Sequence, residues 1–487
     1  MQVGRWYPTN VALPDGRTLV FSGLDEQSNL TDVVEVYDPS SGMQVVPGAN
    51  KLLALYPRMH VLPSGKVFHA GPENVSSTFD PATATWEAVA FTKYGYRNGG
   101  ASILLPLQPP DYSPKVLILG GGSPVTNTAE IIDLGDPSPV WHYTAPLNYA
   151  RHHPNVTILP NGRVLVVGGH AGDESPVLQA EIFDPVSETW TEVATMQRPR
   201  VYHSTAVLLA DGRVLAAGSD GELTAEIYNP SYLFQGSRPQ ISSAPDAVFY
   251  GSSFQVPTPD AQDIAKVILI RPSAVTHSVD TEQRYVELEF ATGTGLLTVQ
   301  APPSPNLAPP GYYMLSVISS AGVPSEATFI RLGATTDSDG DGLTDDDEIN
   351  IYGTDPMVAD TDGEGLGDGD EVNVYGTSPL LIDSDGDGFD DGTEVFIGTD
   401  PTNACSATPD ADDEDPDPWP PDFRDDQTVD INDLLGDPIS FKDSFGATDP
   451  DAKYFRRYDL NMDGSIDILD LLGAGASFKS TFGQSCS

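Results

Sequence analysis

Tyr202 and His203 stand side by side in Arg200-Val-Tyr-His-Ser204, and His277 follows in Thr276-His-Ser278 with Gln283-Arg284 six residues on. Phenol oxygens and imidazole nitrogens are a donor set that suits copper(II) in a roughly square array. A Tyr-His pair on a strand is by itself more often core than ligand. The Thr-His and Gln-Arg contexts lift these residues above that reading. Neighbouring strand residues face opposite sides, so Tyr202 and His203 can share one ion only where a strand begins or bends. His152-His153, in Ala150-Arg-His-His-Pro154, could suggest another metal site, but it is read as the entry of a strand unit with solvent-facing or channel-lining imidazoles. His60, His69, His142 and His170 have no partner that the sequence identifies.

A second chemistry lies in the C-terminal third. Asp337-x-Asp339-Gly-Asp341-Gly342 with Glu348 at position 12 recurs every 23 residues. The copies are Asp360, Asp362, Glu364 and Glu371, then Asp383, Asp385, Asp387 and Glu394. Carboxylates at positions 1, 3, 5 and 12 with glycine at 6 are the pattern of a calcium loop, in which oxygens converge on a hard cation and the last Glu binds through both oxygens. Farther on, Asp422–Gly436 and Asp459–Gly473 form a duplication offset by 37 residues. The second copy carries a well-formed loop of Asp459, Asn461, Asp463, Gly464, Asp467 and Asp470. The first has Arg424 and Gln427 where a ligand and glycine belong, so its site is expected to be weak or empty.

The elements that must hold the Tyr/His set are repeats of about 49 residues. Four have two apolar strands about a tight turn (Asp15-Gly16, Ser64-Gly65, Asn161-Gly162, Asp211-Gly212), read as type I′ hairpins, and the third copy has a longer hairpin from Leu104 to Val116. Each then has an aromatic-Asp-Pro-like segment at Tyr37, Phe79, Ile132, Phe183 or Tyr228. Trp86, Trp141 and Trp190 follow three copies as packing residues between units. The reading is all-β: a kelch-type propeller over residues 1–237 with five recognisable blades. Residue 1 is expected to follow one or two missing blades, a complete five-bladed ring being the alternative. Strands at Lys266–Arg271, Tyr285–Phe290 and Tyr312–Ile318 then suggest an immunoglobulin-like sandwich over 238–333. Calcium repeats are placed at 337–403, an acidic Pro-rich linker at 404–421 and a small helical EF-hand-like pair at 422–487.

These residues and repeats resemble the galactose oxidase and glyoxal oxidase family of copper radical oxidases. The Arg198–Ser204 and Arg271–Arg284 stretches carry the likeness most strongly, and Arg5-Trp-Tyr-Pro-Thr9 resembles the stretch bearing the radical tyrosine of glyoxal oxidases. The resemblance implies one copper ion held by Tyr7, Tyr202, His203 and His277. It makes Tyr202 the axial ligand and proton acceptor, and Tyr7 the radical site. It implies oxidation of a primary alcohol or aldehyde by dioxygen, giving hydrogen peroxide. The family also carries a cysteine bonded to the radical tyrosine, whereas no cysteine precedes Cys405 here. A non-catalytic, calcium-dependent carbohydrate-binding propeller is the competing expectation. The acidic repeats resemble thrombospondin type 3 repeats, and the C-terminal pair resembles a dockerin, which implies a cohesin-like partner.

Charge and composition narrow the classes. Of the net −47, residues 337–487 carry −34, a self-repelling segment unless cations neutralise it. Nucleic acid, which needs Lys/Arg against its phosphates, is disfavoured as a partner. No apolar run reaches the 18 residues of a membrane span, and Met1 opens without a visible signal peptide. Cys405 and Cys486 could close one disulfide, fitting a secreted or cell-surface setting.

Overall fold

A computed structural model describes residues 1–39, 41–333, 337, 339–404, 445–448, 462 and 464–466. The linker beyond 404, Cys405, Cys486 and the predicted ligands Asp459, Asn461, Asp463, Asp467 and Asp470 lie outside the described residues. Two units are present, Met1–Ala334 and Thr335–Ser487.

The first unit is nearly all β. Blade one is Thr9–Ala12, Thr18–Phe21, Glu35–Asp38 and Gly42–Val45; blade two is Arg58–Val61, Val67–Gly71, Val75–Asp80 and Thr85–Phe91. Blade three is Ala101–Leu104, Lys115–Leu119, Ala129–Asp133 and His142–Tyr143, and blade four is Asn155–Ile158, Val164–Val167, Gln179–Asp184 and Thr189–Thr195. Blade five has three strands, Ser204–Leu208, Val214–Gly218 and Ala225–Tyr228. Each blade is an antiparallel meander in chain order. The first strands of successive blades are neighbours, so they are the inner strands of a kelch-type propeller.

The blade hairpins differ from the type I′ expectation. In blades one, two, four and five, glycine alone takes the left-handed conformation (Gly16, Gly65, Gly162 and Gly212, φ 80–83°). Gly16 N–H bonds to the Leu13 carbonyl and Leu13 N–H to the Arg17 carbonyl, and the pattern repeats at Leu62, Leu159 and Leu209. These are type I turns closed by a left-handed glycine, the three-residue hairpin geometry. The residue before each glycine keeps negative φ and spares its side chain the αL penalty.

A buried ion pair repeats through the blades. Arg5, Arg97, Arg151 and Arg200, each just before an inner strand, pair with Glu35, Glu130, Glu181 and Glu226 on the third strand of the same blade. Blade two replaces the Glu with Ser77, which accepts from the Lys51 ammonium at 2.7 Å. Each guanidinium also donates to strand-end carbonyls such as Ser22 O, Gly120 O, Gly168 O and Gly218 O. Such pairs hold only when every polar group is satisfied, and here they fix the loop that enters each inner strand. Trp86 and Trp190 donate across to Ala49 O and Ala145 O at the preceding blade, and Trp141 to Ser76 Oγ of blade two. That is the inter-blade role their spacing suggests.

The second module of this unit is a sandwich. One sheet orders Ala247–Val248, Thr328–Leu332, Gly311–Ser319, Ile264–Arg271 and Arg284–Leu288; the other orders Ser253–Pro257, Leu296–Gln300 and Phe290–Gly293. Its core is continuous with the blades, since Leu104, Leu107 and Trp141 share one cluster with Val267, Val286 and Leu315. Arg284 donates to Val61 O, Asn306 O and Leu307 O, while Gln283 bonds to both backbone groups of Ile158. Gln283-Arg284 is therefore a wedge that seats the sandwich on blades two and four.

Candidate metal centres

Three entry loops, the loop after Val214–Gly218 and one hairpin build the first site. The hairpin Val275–Thr276/Val279–Asp280 leaves the sandwich and contacts the inner strands of blades three, four and five. Its two-residue turn is His277-Ser278, with φ of 52° and 63°. This is a type I′-like turn made without glycine, and non-glycine residues at positive φ concentrate at functional sites because the fold must enforce them. His203 stands just before Ser204–Leu208 with φ 62°, and Tyr7 just before blade one with φ 63°. The chain bends at His203, so Tyr202 and His203 fall on one side instead of alternating.

The rings converge. Ring centroids of Tyr202 and His203 are 4.1 Å apart, His203 and His277 4.5 Å, Tyr7 and His277 4.5 Å, and Tyr202 and His277 5.3 Å. Trp6 stacks on Tyr7 at 3.6 Å and 17°. All four residues named from sequence are thus brought to one place.

Two further residues complete the site. Tyr56 hydroxyl lies 2.6 Å from His277 Nδ1, and its ring stacks on Tyr7 at 4.7 Å. Asp220 Oδ1 lies 2.5 Å from His203 Nδ1. Each imidazole therefore has Nδ1 engaged and Nε2 left as its available donor, the usual arrangement for an oriented metal-binding histidine. The sequence does carry a signal for Tyr56: Tyr7-Pro8 recurs as Tyr56-Pro57 one 49-residue period later. Asp220 carries no such signal. Burial, together with the adjacent Tyr7 phenol, raises the Tyr202 pKa. Burial also pushes Tyr56 up to about 12, and His277 is lowered by burial and by His203. These shifts hold the Tyr56 and Tyr202 phenols protonated and the His277 imidazole neutral in the absence of a cation.

The remaining histidines divide. His60 bonds to Ser102 Oγ, His69 pairs with Glu73, and His142 with exposed Glu188. His152, His153 and His170 come together beside Tyr202, with His153 and Tyr202 centroids 4.8 Å apart.

The second unit holds three carboxylate loops. In each, the first Asp accepts from backbone N–H groups three and five residues on: Gly340 and Gly342 for Asp337, Gly363 and Gly365 for Asp360, Gly386 and Gly388 for Asp383. Carboxylate oxygens at positions 1, 3 and 5 gather in every copy: Asp337, Asp339 and Asp341; Asp360, Asp362 and Glu364; Asp383, Asp385 and Asp387. One oxygen at position 3 (Asp339, Asp362, Asp385) and one at position 12 (Glu348, Glu371, Glu394) is buried without a hydrogen-bond donor in all three. Burial among neighbouring carboxylates raises Glu348 to about 7, Glu371 to about 8 and Glu394 to about 10. Orphaned oxygens at the same two loop positions are what a hard cation would satisfy. The position-5 carboxylate also ties one repeat to the next, since Asp341 accepts from Gly369 N–H and Glu364 from Gly392 N–H.

Comparison with known proteins agrees with this architecture. Residues 1–234 match the glyoxal oxidase N-terminus family and residues 238–332 the galactose oxidase-like early-set domain. Residues 337–359 and 383–404 match the bacterial TSP3 repeat. Aldehyde oxidase GLOX of Vitis pseudoreticulata is 30% identical over 387 residues, covering 68% of this chain and 72% of that protein. A galactose oxidase of Gibberella zeae is 31% identical over 375 residues, covering 68% of this chain, which spans just over half (55%) of that enzyme's length. A fungal alcohol oxidase of the AA5 family, solved in complex with copper, superposes with a TM-score of 0.60 at 28% identity over 68% of this chain and 76% of that one. With blades, sandwich and entry loops all accounted for, the chain belongs to the glyoxal oxidase and galactose oxidase family.

Proposed function

We propose that residues 1–333 form a copper-dependent oxidase that converts a primary alcohol or an aldehyde with dioxygen and releases hydrogen peroxide. The observation that supports this most is the meeting of Tyr7, Tyr202, His203 and His277, from three distant stretches of chain, at centroid separations of 4.1–5.3 Å. Bound there, copper would supply one-electron redox chemistry and polarise a substrate oxygen. His203 and His277 would hold it through Nε2, with Tyr7 and Tyr202 as oxygen donors. Asp220 and Tyr56 fix the two imidazoles. Tyr202, as phenolate, takes the substrate hydroxyl proton at its oxygen. Tyr7, shielded on one face by Trp6, would abstract the hydrogen atom from the substrate carbon only in its one-electron-oxidised form, with dioxygen the final acceptor of the two electrons and two protons as hydrogen peroxide.

One observation favours a second reading. No cysteine occurs in residues 1–404, so Tyr7 has no thiol partner in this unit, and no step is derived through a thioether. The alternative is a metal-binding, non-oxidising propeller that recognises carbohydrate. Copper stoichiometry, with His203→Ala and His277→Ala as controls, followed by peroxide release on galactose, glyoxal or glycerol, separates them. One copper ion fewer per chain in both variants plus peroxide from the parent supports the oxidase. Binding without peroxide supports the alternative, and copper binding indifferent to both variants refutes the site.

The acidic repeats are read as holding several calcium ions. Loops of this type in extracellular modules bind at about 10⁻⁴–10⁻³ M, which suits a secreted or cell-surface protein. Among the described residues no helix is long and apolar enough to cross a membrane.

A further inference from the structure

We propose that His152, His153 and His170 form a second transition-metal site, taking a divalent ion, copper(II) most tightly, through three imidazole nitrogens. One ring nitrogen from each lies within 4.8 Å of the other two. Metal–imidazole bonds of about 2.0–2.1 Å require the rings to turn toward a shared ion.

The tautomers suit that role. His170 Nδ1 lies 3.0 Å from the Ala171 carbonyl, so it carries the proton and leaves Nε2 as a lone pair. His152 Nε2 is buried without a partner. His153 Nδ1 is likewise buried without a partner. A carbonyl-held Nδ1–H that leaves Nε2 free, as in His170, is the outer-shell pattern of a metal-binding histidine.

The backbone is built to hold them. His152 and His170 exchange both N–H···O bonds, at 2.8 and 3.0 Å. His153 sits at φ 53° with its N–H on Gly99 O. Gly99 is itself left-handed (φ 64°), and a Cβ there would lie 2.7 Å from His152 Nδ1. Arg151, fully buried and paired with Glu181, anchors the loop. These donors are distinct from His203 and His277. Tyr202 stands between, touching His153 on one side and His203 on the other.

The test counts metal on the full chain, saturated with calcium so that the acidic repeats are filled. Under copper(II) the parent is expected to retain two ions per chain. His153→Ala/His170→Ala should retain one, and so should His203→Ala/His277→Ala. Cobalt(II) absorption adds a readout independent of activity: the visible band of a low-coordinate imidazole site should persist in His203→Ala/His277→Ala and vanish in His153→Ala/His170→Ala. His170→Gln, with far-UV dichroism and melting unchanged, guards against a folding defect. A parent holding one ion, or a count that His153→Ala/His170→Ala and His170→Gln leave unchanged, overturns the proposal. A count lowered by the His153/His170 pair alone sustains it while refuting the first site.

Discussion

Arg284→Met tests whether the wedge between sandwich and blades is what delivers His277. The guanidinium is buried and donates to three carbonyls: Val61 at 2.8 Å, Asn306 at 3.1 Å and Leu307 at 2.5 Å. Methionine keeps much of the apolar stem but leaves all three acceptors without a donor. Each buried group left unsatisfied costs about 1–3 kcal/mol. Relief of the buried charge returns several kcal/mol, a burden visible in the Arg284 pKa, which burial lowers to about 10. The net loss is about 2–5 kcal/mol. For a unit of this size, at about 2 °C per kcal/mol, Tm should fall by about 4–10 °C. His277 lies seven residues upstream on the hairpin that Gln283 and Arg284 tether, so copper affinity should drop about 10–100-fold, the range for outer-shell loss. Differential scanning calorimetry and copper titration of the same sample read both quantities. Arg213→Met, which removes only the part-exposed pair with Asp211, is the control and should cost under about 1 kcal/mol. A Tm within about 1 °C of the parent would refute the energetic argument. A lowered Tm with unchanged copper affinity would refute the coupling to His277.

Tyr56→Phe removes the hydroxyl 2.6 Å from His277 Nδ1 while Thr276 Oγ1 remains at 2.7 Å. Copper affinity should therefore fall by only about tenfold with little change in melting; an unaltered affinity in a titration would show that Tyr56 does not orient the imidazole. The calcium-free acidic array should be more ordered at low pH. The folded pKa values of Glu348, Glu371 and Glu394, about 7, 8 and 10, exceed the ordinary 4.5, so protonation stabilises the fold fully below pH 4.5. That contribution is lost as pH rises through about 7–10. Circular dichroism of the chelated full chain at pH 5 and pH 8 should show order lost at the higher pH and restored by millimolar calcium; equal order at both, with no response to calcium, would contradict it.

Parts of this molecule are legible in the sequence because they are local. The calcium loops repeat at a fixed 23 residues, and the spacing alone puts carboxylates at positions 1, 3, 5 and 12. Asp-Gly and Asn-Gly pairs mark the blade hairpins, although not their conformation. Such pairs also close type I turns with one left-handed glycine, and the choice depends on loop length, which one dipeptide does not fix. The Arg–Glu ladder is hidden because its partners stand about 30 residues apart, and nothing local marks an Arg as buried.

The sequence by itself determined the donor types, the blade period and the carboxylate loops, since each rests on residues close together in the chain. Tertiary structure alone decided which donors meet. His277 reaches Tyr7 and Tyr202 because a buried Gln-Arg wedge seats the sandwich on blades two and four. His170 reaches His152 because two strand ends pair across a blade. Tyr56 joins because inner-strand entry loops converge, and Asp220 because the loop after Val214–Gly218 returns to the entry of the same blade. Contacts of that kind depend on the closure of long loops and on buried hydrogen bonds, which chain spacing does not encode.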